Sequence, residues 1–96
     1  MDKNGYLYII SNSAWPGWIK VGVTQNLKNR LHTYQTGSPH RNYKIEYSIY
    51  HPDYLIAEKK IRNMLEPFAK SIKNEWYEVD LSMGKHRIDE TLEEFQ

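Results

Sequence analysis

A Pro-Gly pair at positions 16–17 stands between two segments that read as extended, and it folds the first quarter of the chain into a hairpin. Gly5-Tyr6-Leu7-Tyr8-Ile9-Ile10 is aromatic and β-branched, and it runs out in the turn formers Ser11, Asn12 and Ser13. In Trp18-Ile19-Lys20-Val21-Gly22-Val23-Thr24 the residues Ile19, Val21 and Val23 alternate onto one face, with Trp18, Lys20 and Gly22 on the other. A lone hairpin is not stable in water, so the rest of the chain must cover that apolar face.

The later segments supply the cover. Asn26 is placed to cap a helix over about 27–35, which Gly37 and Pro39 terminate. A third strand is expected over 43–50, broken by His51-Pro52-Asp53, and a second helix over about 54–68 with Pro67 near its end. Residues 75–79 form a short fourth extended piece. Ser82 is expected to cap a last helix carrying Ile88, Leu92 and Phe95 at i, i+4 and i+7. The order β-β-α-β-α-β-α predicts an α+β domain: a small, mainly antiparallel sheet, three core strands plus a short fourth, flanked by helices. Ninety-six residues suffice for a single domain spanning 1–96.

Composition removes several classes of function. Without cysteine there is neither a disulfide framework nor a thiolate zinc site, and His32, His40, His51 and His86 show no tight ligand spacing. No apolar run approaches the ~18 residues that span a bilayer, and no signal-peptide pattern precedes the first strand, so a cytoplasmic protein with no membrane partner is expected. A net charge of +1 does not suggest a broad nucleic-acid-coating surface, yet the charge is unevenly placed. Lys20, Lys28, Arg30 and Arg41 fall in a stretch with no acidic residue, while Asp89, Glu90, Glu93 and Glu94 close the chain. Eight tyrosines and three tryptophans in so small a domain leave some rings exposed, which suits nucleic-acid or protein contacts.

Two charges of opposite sign stand where the helical pattern is apolar. Arg30 shares a face with Leu27, Leu31 and Tyr34; Glu58 is in line with Tyr54, Ile61 and Leu65 on a stripe that also includes Ala57, Met64 and Phe68. An inward-pointing charge without a partner costs several kcal/mol. The two therefore either form a buried Arg30–Glu58 ion pair or belong to an active site, since a guanidinium suits phosphate and a carboxylate suits a divalent metal.

At this point the residues resemble a known family. Tyr6-Leu7-Tyr8 and Lys20-Val21-Gly22 look like the two strand motifs of the GIY-YIG nuclease superfamily, Arg30 follows Gly22 by eight residues as that family's arginine does, and Glu58 matches its metal-binding glutamate. Lys20-Val21-Gly22-Val23-Thr24 and the late Glu75-Trp76-Tyr77 are similar to the phage- and virus-associated branch. The resemblance runs from Gly5 to about Tyr77.

It implies a metal-dependent endonuclease that hydrolyses phosphodiester bonds in DNA, using Mg²⁺ or Mn²⁺ held by Glu58. The implied catalytic set is Tyr8, Lys20, Arg30, Tyr34 and Glu58, all projecting onto one concave face. Lys20 stands where the family has its second tyrosine, near the attacking water; there it either takes the proton from that water or holds a phosphate. Tyr34, one turn after Arg30, would orient a phosphate or that water, and Arg30 would fork onto a non-bridging oxygen. Asn74 lies near the place of a family asparagine. With Lys20, Lys28, Arg30 and Arg41 it makes up the expected nucleic-acid contacts. His32 is read as a surface residue, and Trp76 and Tyr77 as core or rim. So small a domain leaves little surface for reading sequence, so a homodimer or an accessory DNA-binding partner is expected. Two other readings stay open: a DNA-binding module with little or no cleavage, and a phage protein-interaction factor.

Overall fold

The computed structural model describes the backbone of residues 4–93. The hairpin forms as expected from β1 (Gly5–Asn12) and β2 (Trp18–Thr24), with Leu7 opposite Val23 and Ile9 opposite Val21. The connection is fixed at its start by the Asn12 side chain, which accepts from Ala14 N at 2.8 Å and donates to Asn42 at 3.1 Å. It is fixed at its end by Gly17, whose φ of 87° lies where L side chains are strained.

Helix α1 (Leu27–Thr36) starts on Asn26, whose side chain accepts from Asn29 N, and β3 (Tyr43–His51) then pairs antiparallel with β1. Helix α2 (Tyr54–Leu65) is capped by Asp53 and tightens into a 3₁₀ turn at Glu66–Phe68, where Pro67 cannot continue the α-helical ladder. The sheet then gains two strands: β4 (Ile72–Lys73) and β5 (Trp76–Glu78), the latter beside β2. The sheet is thus five-stranded, in the order β3-β1-β2-β5-β4, instead of three strands plus a short fourth. A two-residue strand carries no periodicity, which is why β4 has no signature in the sequence. Helix α3 (Leu81–Glu93) begins two residues earlier than expected, and its cap is Asp80, which accepts from Ser82 N at 2.8 Å, not Ser82 itself. The side chains of Leu92 and Glu93, with Glu94 and Phe95, lie outside the described residues.

The core occupies one face of the sheet. Leu7, Ile9, Ile19, Val21 and Tyr77 meet Ala57, Ile61 and Leu65 of α2 and Ile88 of α3. Burying each of the large aliphatic side chains contributes roughly 1.5–3 kcal/mol. Phe68, expected on the α2 stripe, is instead exposed, and Met64 only packs against the core's edge. Helix α1 contributes no buried residue. Its half-buried Tyr34 lies over the other face of the sheet, which presents Tyr8, Lys20 and Gly22.

A bulge decides what else that second face carries. Ile9 pairs with Tyr47 but Ile10 pairs with Ile45, so Glu46 has no partner. Each residue C-terminal to the bulge faces as its regular neighbour would, and each residue before it is turned over. Tyr47 and Ile49 therefore join the core, while Ile45 and Tyr43 point to the side of Tyr8.

Candidate functional site

The site lies where the second face meets the open edge of β2. On β2, strand β5 pairs only with Trp18, Ile19 and Lys20, so among the described residues no strand covers that edge beyond Lys20. Tyr8, on the interior strand β1, is 2% exposed, and its hydroxyl lies 3.4 Å from that of Tyr34 on α1. Gly22 sits directly opposite Tyr8 in the ladder, and a Cβ there would collide with the Tyr8 ring and hydroxyl. The glycine is what allows the phenol to lie flat across β2 towards α1. The Lys20 ammonium lies 5.6 Å from the centre of the Tyr34 ring, within cation–π range.

Burial, foremost, pushes the Tyr8 phenol well above the usual tyrosine range; the hydrogen bond and partial charge of Tyr34 add to this, Glu58 adds less, and only Arg30 pulls the other way. Tyr8 thus stays protonated at neutral pH and acts as a donor. Both Arg30 and Glu58 act on this phenol, although they stand on different helices.

Charged residues extend the site around the sheet edge. Lys20 Nζ is 3.4 Å from Glu75 Oε2, Arg62 reaches Glu75 Oε1 at 3.8 Å, and Arg62 Nη2 meets Glu58 Oε2 at 3.3 Å. All four side chains are partly solvated, so each pair is worth only ~0–1 kcal/mol of stability, and the chain of charges chiefly sets side-chain position. Glu75 is held there by a two-residue turn between β4 and β5, in which Asn74 has φ 50° and Glu75 φ 73°. Both angles are left-handed, as a type I′ hairpin turn requires, and at Glu75 a glycine would be the unstrained choice.

A family model described as the T5orf172 domain matches residues 5–96. The chain belongs to the T5orf172 domain family. That family is associated with phage nuclease-type domains, which suggests a nuclease-like or DNA-binding role and DNA as a partner. No curated protein and no solved structure matches. No helix among the described residues is long and apolar enough to cross a membrane.

In this T5orf172 domain the residues expected from the sequence fall into three groups. Tyr8, Tyr34 and Lys20 are in mutual contact through the Tyr34 ring and hydroxyl. Glu58 reaches them through Arg62 and Glu75. Arg30 is solvent-exposed, since the α1 face that carries it covers no core, so neither the inward-pointing arginine nor the buried Arg30–Glu58 pair exists: the partner of Glu58 is Arg62. Lys28 and Arg41 are also exposed, Arg41 with φ 49°, and His32 is on the surface as expected. Tyr77 is core; Trp76 is half-buried among other rings.

The sequence does not single out Arg62, and it offers Glu75 only within the Glu75-Trp76-Tyr77 motif, with no role at the site. Arg62 had a signal, a glutamate four residues earlier on the same helix. The motif did not place Glu75 beside Lys20, because that position comes from a backbone conformation its own type disfavours.

Proposed function

We propose that this T5orf172 domain is a metal-dependent endonuclease of the GIY-YIG type, hydrolysing phosphodiester bonds in DNA. The observation that carries the reading is the Tyr8–Tyr34 phenol pair, seated against Gly22 and flanked by Lys20. A buried and a half-buried phenol with a lysine at one open sheet edge, and an exposed guanidinium on the adjacent helix, suit a phosphate better than a neutral substrate.

Glu58 is the residue that would hold the ion. Its carboxylate is partly exposed, and a single carboxylate fits Mg²⁺, which keeps several of its waters and takes one or two protein oxygens. Among the described residues no three His, Asp, Glu or Cys side chains stand together. When bound, the ion supplies positive charge against the phosphate.

The chain's own groups do the rest. Arg30 is free in solvent to fork onto a non-bridging oxygen. Tyr8, protonated at neutral pH, donates to the phosphate or the attacking water, and Tyr34 fixes the Tyr8 hydroxyl. Lys20 is placed to hold a phosphate oxygen while the water oxygen bonds to phosphorus, its proton passes to solvent and the ester P–O bond breaks; the expelled oxygen is reprotonated from solvent. An entering phosphate competes with Glu75 for Lys20.

That competition also favours a second reading. Lys20 is already neutralised by Glu75 and Glu58 by Arg62, as in a module that binds DNA and does not cut it. Supercoiled plasmid incubated with the protein separates the two. Open circles forming only with Mg²⁺ or Mn²⁺ support the nuclease; retardation of the plasmid without nicking under any metal supports the binding module.

A further inference from the structure

All three tryptophans of the chain line one open cleft beside the site. The cleft holds about 390 Å³, within the ~300–1,000 Å³ range of ligand clefts, and is formed by Trp15, Trp18 and Trp76 with Lys73 and Asn74. Trp15 is 45% exposed, a costly position for an indole that the core does not need. It is nevertheless held in place: Trp15 N donates to Asn12 O at 2.9 Å and Trp18 N to Trp15 O at 3.2 Å. Trp15 meets Trp76 edge-on, with ring centres 5.4 Å apart.

The rings continue to the phenol pair. Trp76 lies 6.4 Å from Tyr43, and Tyr43 lies 5.1 Å from Tyr34, whose hydroxyl meets Tyr8. Tyr43 is in this row because the bulge at Glu46 turns it to the second face. A row of aromatic faces leading from a phosphate-binding edge is what successive bases of a single strand stack upon.

We propose that this cleft takes an unpaired nucleobase of the strand whose phosphate lies at the site, the base packing on the indoles while Lys73 meets a flanking phosphate and the Asn74 amide meets the base edge. The proposal rests on the nucleic-acid part of the functional reading above. Charge complementarity selects this occupant. An aromatic cage for a quaternary ammonium would not carry a lysine at its rim, because the two cations repel; a phosphate-bearing base is attracted by the same lysine.

The test is intrinsic tryptophan fluorescence during titration with a short oligothymidylate, and with a strand of equal length whose residues are abasic. The phosphates are the same, so any difference reports the bases. The wild-type protein should bind the base-bearing strand about tenfold more tightly, with quenching of emission. Trp15→Ala should erase that difference, Trp15→Phe should keep part of it, and affinity for duplex DNA should stay within about twofold. Equal binding of the two strands by the wild type overturns the proposal, and so does a difference that survives Trp15→Ala. If Trp15→Ala does not fold by circular dichroism, the wild-type comparison of the two strands decides. Plasmid nicking without base preference sinks the pocket and spares the nuclease. Base preference without nicking does the reverse.

Discussion

Arg30 and Gly22 make opposite demands on their surroundings, and their substitutions should separate accordingly. Arg30 is exposed on a helix that covers no core, so Arg30→Lys should leave thermal stability unchanged, within the ~0.5 kcal/mol of an ordinary surface change. Its cleavage rate should still fall at least about tenfold, since a point charge cannot reproduce the planar fork on phosphate. Full activity in Arg30→Lys would remove the clamp role. Gly22 is buried against the Tyr8 ring, and Gly22→Ala must displace that ring from its seat on β2. The expected cost is about 1–3 kcal/mol in urea denaturation, together with loss of cleavage. A stable, active Gly22→Ala would mean that the seat of the phenol does not matter.

At the scale of elements, the β4–β5 turn is the most informative piece. Glu75→Gly relieves a left-handed backbone at a residue that tolerates it poorly, and removes carboxylate contacts worth only ~0–1 kcal/mol each. Stability should therefore change by less than about 1 kcal/mol, while duplex affinity at low salt should rise because Lys20 loses its internal partner. A loss above ~2 kcal/mol would instead make Glu75 a structural anchor. This turn also marks where the sequence stopped being legible. The hairpin, the Asn26 cap and the apolar stripe of α2 were readable because Pro-Gly, an asparagine before a helix and a 3.6-residue period each act locally. The turn at Asn74–Glu75 was not, since its residue types argue against the angles they adopt. The bulge at Glu46 was also invisible: alternation over 43–50 reads smoothly through it, yet it turns Tyr43 and Ile45 to the opposite face. Helix α1 misled for a related reason. Leu27, Leu31 and Tyr34 do share a face, but one laid on the sheet's second side, where Arg30 reaches solvent. Tyr8, Lys20, Tyr34 and Glu58 could be named from their motif positions, whereas the links through Arg62 and Glu75 depend on tertiary placement.

For the molecule as a whole, three buried or half-buried phenols tie stability to alkaline pH. Burial and the hydrogen bond to Asp89 push Tyr47 up to about 12; Tyr8 and Tyr77 are raised as well, both chiefly by burial. A phenol raised in the folded state favours folding while it is protonated, so this contribution is complete below the unfolded value of ~10 and is lost as pH rises through the folded values. The midpoint of denaturation should fall steeply between pH ~10 and ~12, and Tyr47→Phe should flatten that fall; a midpoint independent of pH there would contradict the packing of these rings. The central claim concerns the charge at the end of the chain Lys20–Glu75–Arg62–Glu58. Its most direct test is Mg²⁺-dependent plasmid nicking by the wild type beside Glu58→Ala, with circular dichroism and duplex affinity measured on both. The account predicts nicking by the wild type alone, with fold and affinity retained in the variant; equal nicking by both proteins would contradict it.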